Sequence, residues 1–153
     1  MSIYLTAILK IINKVIIKKN KVMANVLREL TQVLKERDLE MSDVKCFEIV
    51  YDQQFGYDEN AEIFTMYAYD TNHPKPALYD EHLEATIQDM NNCNYDEGYG
   101  AQKLFGTVWL KNGDWMTRGE YDGSEWWEYH TMPEIPKHIR LDRHGNNVSG
   151  LSI

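Results

Sequence analysis

The chain predicts an α+β fold: an antiparallel sheet, made of an N-terminal hairpin and a C-terminal three-stranded meander, packed with two helices. Three observations predict it. Residues 24–38 and 77–90 repeat apolar side chains at helical spacing. VKCFEIVY at 44–51 and EIFTMYAY at 62–69 are rich in β-branched and aromatic residues, with the alternation of strands. Finally, Asn112-Gly113 and Asp122-Gly123 separate three alternating runs, and each dipeptide is a strong two-residue hairpin signal.

Residues 1–22 stand apart from the rest of the chain. They hold six Ile, five Lys, two Asn and one Tyr and no acid, as expected of a translated A/T-rich leader with the natural start at Met23. The competing expectation is an amphipathic helix, because Lys10, Lys14 and Lys18 stack opposite Ile8, Ile12, Val15 and Ile16, a pattern of membrane-surface helices. A secretory signal fits poorly, since lysines interrupt the apolar run. No apolar run is long enough for a membrane span, so membrane contact is expected only through that helix.

From 24 to 38, Val26, Leu27, Leu30, Val33 and Leu34 form one stripe, with Arg28, Glu29, Lys35 and Glu36 outside it. A strand over 44–51 and a second over 62–69 come next, joined through FGYDEN at 55–60, a turn by composition. Asn72-His73-Pro74-Lys75-Pro76 breaks the chain. Tyr79, Leu83, Ile87 and Met90 then mark the second helix, with Asp80, Glu81 and Glu84 near its start, where the helix dipole favours them.

With two-residue loops, the meander would pair Trp109 with Met116 and Met116 with Tyr129. Thr107, Arg118 and Trp127 would form the next row, then Phe105, Glu120 and Glu125. Arg118 would lie beside Trp127 and near both glutamates, giving a cation–π contact and an ion pair. On the opposite face Gly106, Gly119 and Trp126 would share a row, the indole lying across the glycine groove. Trp126, Val108, Leu110 and Trp115 are therefore the expected core. The face with Trp109, Met116, Arg118, Glu120, Glu125, Trp127 and Tyr129 is either covered by a helix or open as an interaction patch, since Trp, Tyr and Arg are enriched at interface centres.

The 153 residues, 43% apolar and 12% aromatic, suit one domain over 23–136, followed by a tail at 137–153. Cys46 and Cys93 have no metal-type spacing and read as reduced thiols. The net charge of -8 conceals a stronger imbalance. Residues 38–134 hold 21 acids against Lys45, Lys75, Lys103, Lys111 and Arg118, a net of -16, which repels nucleic acid and favours basic partners.

Chemistry motifs are absent: no G-x-G-x-x-G, P-loop, H-E-x-x-H, EF-hand loop or G-x-S-x-G elbow occurs. His73 and His82 with Asp80 and Glu81 read as a solvated turn and helix start, and Glu125 and Glu128 would face opposite ways on one strand. No catalytic residue, cofactor or metal is expected.

GTVW, NGDW, RGEYDGSEWWEY and PEIP, all within 97–136, resemble a group of small uncharacterised proteins of tailed bacteriophages and prophages. The resemblance extends loosely to the helix and hairpin of 23–70 and implies expression in the cytoplasm of an infected bacterium. It carries no activity to transfer. The expected role is a non-enzymatic acidic accessory protein that binds a host or phage protein with a basic surface. In its sharper form it is a nucleic-acid mimic inhibiting a DNA-binding or host-defence enzyme. The alternatives are a small ligand-binding or enzymatic domain with an anion site near Arg118, and a minor virion component.

Overall fold

The computed structural model describes residues 7–11, 23–52, 60–98 and 100–147. Residues 7–11 are helical, with Ile8, Leu9 and Ile11 exposed. The rest of the N-terminal extension and nearly all of the turn expected at 55–60 lie outside the described residues.

The elements run β1 (Ala24–Asn25), α1 (Val26–Glu36), β2 (Val44–Tyr51), β3 (Glu62–Met66), α2 (Tyr79–Asn92), β4 (Asn94–Tyr95), β5 (Leu104–Leu110), β6 (Trp115–Tyr121) and β7 (Ser124–His130). The architecture is α+β with antiparallel sheets, as the sequence predicts. The expected hairpin and meander join edge to edge into one five-stranded sheet, β3-β2-β5-β6-β7. A second, two-stranded ribbon, β1-β4, has no sequence signature, because two-residue strands carry no periodic signal.

That ribbon ties the start of α1 to the end of α2. Asn25 caps α1 by accepting a hydrogen bond from the Arg28 amide at 2.9 Å, while its own Nδ2 donates to Asn91 O and Asn94 Oδ1, each at 2.8 Å. Helix α1 buries Val26, Leu30 and Leu34, one residue per turn on one face. It stops where Asp38 turns left-handed, with φ of 57°, and the Leu39 amide returns to Leu34 O at 2.9 Å. Along α2 the buried positions are Thr86 and Met90; Tyr79, Leu83 and Ile87 are half-buried. Tyr79 Oη donates to Tyr67 O at 2.7 Å, and His82 Nε2 lies 3.1 Å from Thr65 O, fastening α2 to the chain around the edge strand β3.

Both helices lie on the same face of the sheet. The core between them contains Phe47, Ile49, Phe64, Leu104, Val108, Leu110, Met116 and Trp127 from the strands, with Leu30, Leu34 and Met90 from the helices. Val108 and Leu110 are core, as expected; Trp115 and Trp126 are not, and Trp126 is 41% exposed.

The reason lies in one turn. Asp122-Gly123 makes the expected two-residue turn with positive φ at both positions, 50° and 85°. It sets Met116 opposite Tyr129, Arg118 opposite Trp127 and Glu120 opposite Glu125, as expected. At Asn112-Gly113 only the glycine takes positive φ, 93°. The Leu110 amide donates to Asp114 O at 2.9 Å and the Gly113 amide to Leu110 O at 3.1 Å, closing a three-residue loop with a bulged glycine. The extra residue shifts the register by one, so Val108, not Trp109, faces Met116, and Trp109 pairs with Trp115. A shift of one exchanges the two faces of a strand. Strand β5 thus sends Leu104, Val108 and Leu110 inward and Trp109 outward.

Candidate interaction face and a buried arginine network

The register divides the predicted interaction residues between two environments. Met116, Trp127 and Glu125 are buried, and the Arg118 side chain is 1% exposed. Tyr129 is half-buried, its hydroxyl donating to Asp114 Oδ2 at 2.6 Å and its ring lying 4.3 Å from the Arg37 guanidinium. Glu120 is exposed and accepts the Gly123 amide at 3.0 Å within its own hairpin, so it is not part of the arginine cluster. Trp109 alone of the indoles expected on the interaction face reaches solvent, at 45% exposure. The expected jobs of the two adjacent tryptophans are exchanged: Trp127 is in the core and Trp126 is outside. In the helix-covered position, the face carrying Arg118 offers no open patch.

Arg118 organises the covered side. Its Nη2 donates to Tyr95 Oη at 2.9 Å and approaches Glu125 Oε1 at 3.5 Å, while Nη1 lies 3.7 Å from Glu29 Oε1. The Tyr95 hydroxyl in turn donates to Glu29 Oε2. The guanidinium carbon sits 5.1 Å from the Trp127 ring centre, the contact the strand register predicts. The β5–β6 ladder ends at Thr107–Thr117. Beyond that point the Glu125 carboxylate accepts the Lys103 amide at 3.0 Å and the Leu104 amide at 2.9 Å. Glu125 therefore satisfies buried backbone donors that would otherwise have no ladder partner.

Glu29 and Tyr95 are invisible to strand reasoning, because each lies far from Arg118 in sequence and meets it only through α1 and β4. The cluster holds one guanidinium against two carboxylates. Burial raises the Glu29 carboxyl above its ordinary range; Arg118 and then Tyr95 pull it down, and Glu97 and Glu125 push it up. Burial also raises the Tyr95 hydroxyl, which keeps it a donor. The Arg118 guanidinium, its side chain 1% exposed, is enclosed by Glu29, Glu125 and Tyr95, while its Nε and Nη1 make no hydrogen bond among the described residues.

A carboxyl whose folded value is raised binds its proton more tightly in the folded chain. Its stabilising contribution is complete below the unfolded value and disappears as pH rises through the folded one. Wild type is therefore expected to lose stability relative to Glu29→Gln as pH rises from about 4. Urea midpoints of the two proteins at stepped pH measure this, and parallel curves would contradict it.

Among the described residues, the other face of the five-stranded sheet carries no helix. One row across it is Cys46, Trp109, Trp115 and His130; the next is Thr65, Glu48, Thr107, Thr117 and Glu128; the one after pairs Gly119 with Trp126. Trp115 stacks on His130 with ring centres 5.4 Å apart and planes 20° apart, and Thr117 Oγ1 lies 2.8 Å from His130 Nε2. Trp126 crosses Gly119 as expected, a Cβ there sitting 2.7 Å from the indole Nε1 and 2.6 Å from Glu128 Oε1, but Gly106, expected in the same row, is carried by the register shift to the other face, opposite Ile49. Glu48 and Glu128 are exposed, three strands apart, a span of about 14 Å at the usual strand spacing. These rows contain no Lys or Arg.

Elsewhere, His73 Nδ1 is 2.6 Å from Asp70 Oδ2, and no group of three or more metal-type ligands gathers among the described residues. Cys46 and Cys93 are both free, and burial pushes the Cys93 thiol up to about 11. No helix among the described residues is long and apolar enough to cross a membrane. Comparison with known protein families, with characterised proteins and with solved structures finds no match to this chain.

Proposed function

We propose that this chain is a non-enzymatic accessory protein that binds a basic protein surface through the open sheet face. The carrying observation is the pattern on that face: a row with Glu48 and Glu128 lies between one aromatic row with Trp109 and Trp115 and another with Trp126, with no basic side chain among them. Exposed indoles take arginine and lysine stems by stacking, and the carboxylates between them pair with the charged heads. The -16 balance of residues 38–134 adds long-range attraction for such a partner. The likeness of residues 97–136 to tailed-phage and prophage proteins supports a setting in the cytoplasm of an infected bacterium and a host or phage protein as partner. In the sharper reading, the acidic surface occupies the nucleic-acid groove of a DNA-binding or defence enzyme.

Tagged protein in infected-cell extract is expected to retain a basic partner that elutes as salt rises. Trp109→Ser with Trp126→Ser is expected to weaken that complex by about 2 kcal/mol or more, at least about thirtyfold. Glu48→Lys with Glu128→Lys should do the same. The glutamate pair should barely shift the urea midpoint, since both side chains are exposed, which separates lost binding from lost stability. Retention unchanged in both pairs, or indifferent to salt, would exclude this face. DNA competing for the partner identifies the groove-occupying form.

A further inference from the structure

A cleft of about 650 Å³ lies between the start of β2, the segment after β3 and the start of α2. It reaches neither the open aromatic face nor Arg118. Three of the five basic residues of the acidic segment 38–134 line it: Lys45, Lys75 and Lys111. Two features of the fold gather Lys45 and Lys111 there. The β2–β5 register slips between Val44 and Cys46, which makes Lys45 the extra residue of a β-bulge, a device that re-aims a side chain. The Lys111 amide donates to Asp43 O at 2.8 Å, holding the turn after β5 against the start of β2 and bringing Lys111 to the same rim.

The cations differ in availability. Lys75 Nζ bonds Asp80 Oδ1 at 2.7 Å, and Asp70, the other acid of the cleft, is engaged by His73. The side chains of Lys45 and Lys111 make no hydrogen bond or ion pair among the described residues. Beneath Lys75 stand two half-buried rings, Tyr69 and Tyr79, packed edge to face at 4.7 Å, with Lys75 Nζ 5.9 and 5.5 Å from their centres. Met66 and Leu83 complete an apolar wall.

We propose that this cleft binds a small organic anion bearing an aromatic ring, a phosphate or carboxylate of nucleotide size. Lys45 and Lys111 take the anionic group, and the Tyr69–Tyr79 wall takes the ring. The volume falls within the range of small-molecule sites, and apolar walls with a few convergent charges are their usual lining. A polyanion does not suit it. Any chain running out of the cleft enters the field of a segment with net charge -16.

The test is NMR titration of the full chain with adenosine monophosphate, adenosine, inorganic phosphate and a short single-stranded oligonucleotide as probes. Adenosine monophosphate is expected to shift the amide signals of Lys45, Tyr69, Tyr79 and Lys111 with a Kd of about 1 mM or below, with adenosine and phosphate each at least about tenfold weaker. Lys45→Glu with Lys111→Glu, both exposed positions, should abolish those shifts while leaving the rest of the spectrum in place. The proposal is overturned if adenosine monophosphate moves none of these signals, if adenosine alone binds as well, if the double variant binds unchanged, or if the oligonucleotide binds the cleft more tightly. The open-face variants should titrate like wild type, so either reading can fail without the other.

Discussion

Arg118→Ala is expected to lower the free energy of unfolding by about 3–5 kcal/mol, because removing one member of a buried ion cluster leaves the others charged and uncompensated. Glu125 is as deeply buried as the arginine, each side chain being 1% exposed, and it cannot leave without releasing the Lys103 and Leu104 amides it holds. The Tyr95 hydroxyl would lose its donor from Arg118, and Glu29 its positive neighbour. Lysine is not an adequate replacement: it lacks the planar fork that reaches Tyr95 and Glu125 from one nitrogen while lying against Trp127. Urea unfolding of Arg118→Met, Glu125→Gln and the pair should show a coupling energy of about 1–3 kcal/mol. Strict additivity, or an Arg118→Ala loss below about 1 kcal/mol, would reduce the network to incidental contact.

Gly106→Ala should be of similar size. The residue sits at φ of +144°, and a Cβ there would lie 2.3 Å from Glu48 O and 2.9 Å from Ile49 Cα, both backbone atoms of the paired strand. No side-chain rotation relieves that overlap, so β2 and β5 must separate in the middle of the sheet. Backbone strain and overpacking together set an expected cost of about 2–6 kcal/mol. The change should appear as a lowered urea midpoint and as faster hydrogen exchange of the β2 and β5 amides. A midpoint equal to wild type would mean that the two strands can part there freely.

Strand identity and local pairing are legible in the residues themselves. The 44–51 run is β2 in full, α1 and α2 lie within two residues of their expected starts and ends, and the β6–β7 register follows from Asp122-Gly123. That register alone places Arg118 beside Trp127 and near Glu125, since cross-strand neighbours follow from it. The expected 62–69 strand is shorter, Glu62–Met66, because the chain leaves the sheet edge before Tyr67.

What the sequence determined by itself, then, is whatever depends on period and on a turn with one solution: two helices, the strands of the five-stranded sheet and the final hairpin. Asn112-Gly113 has two solutions, a two-residue turn or a three-residue loop with a bulged glycine, and the dipeptide suits both. Choosing between them decides whether Val108 or Trp109 faces Met116, and local propensity is blind to that choice. Tertiary packing decided it: Val108 pairs with Phe47 on β2 and enters the core with the helices, leaving Trp109 on the open side. The same packing brings Glu29 and Tyr95 to Arg118, and Lys45, Lys75 and Lys111 to one cleft, from sequence separations that no periodicity spans.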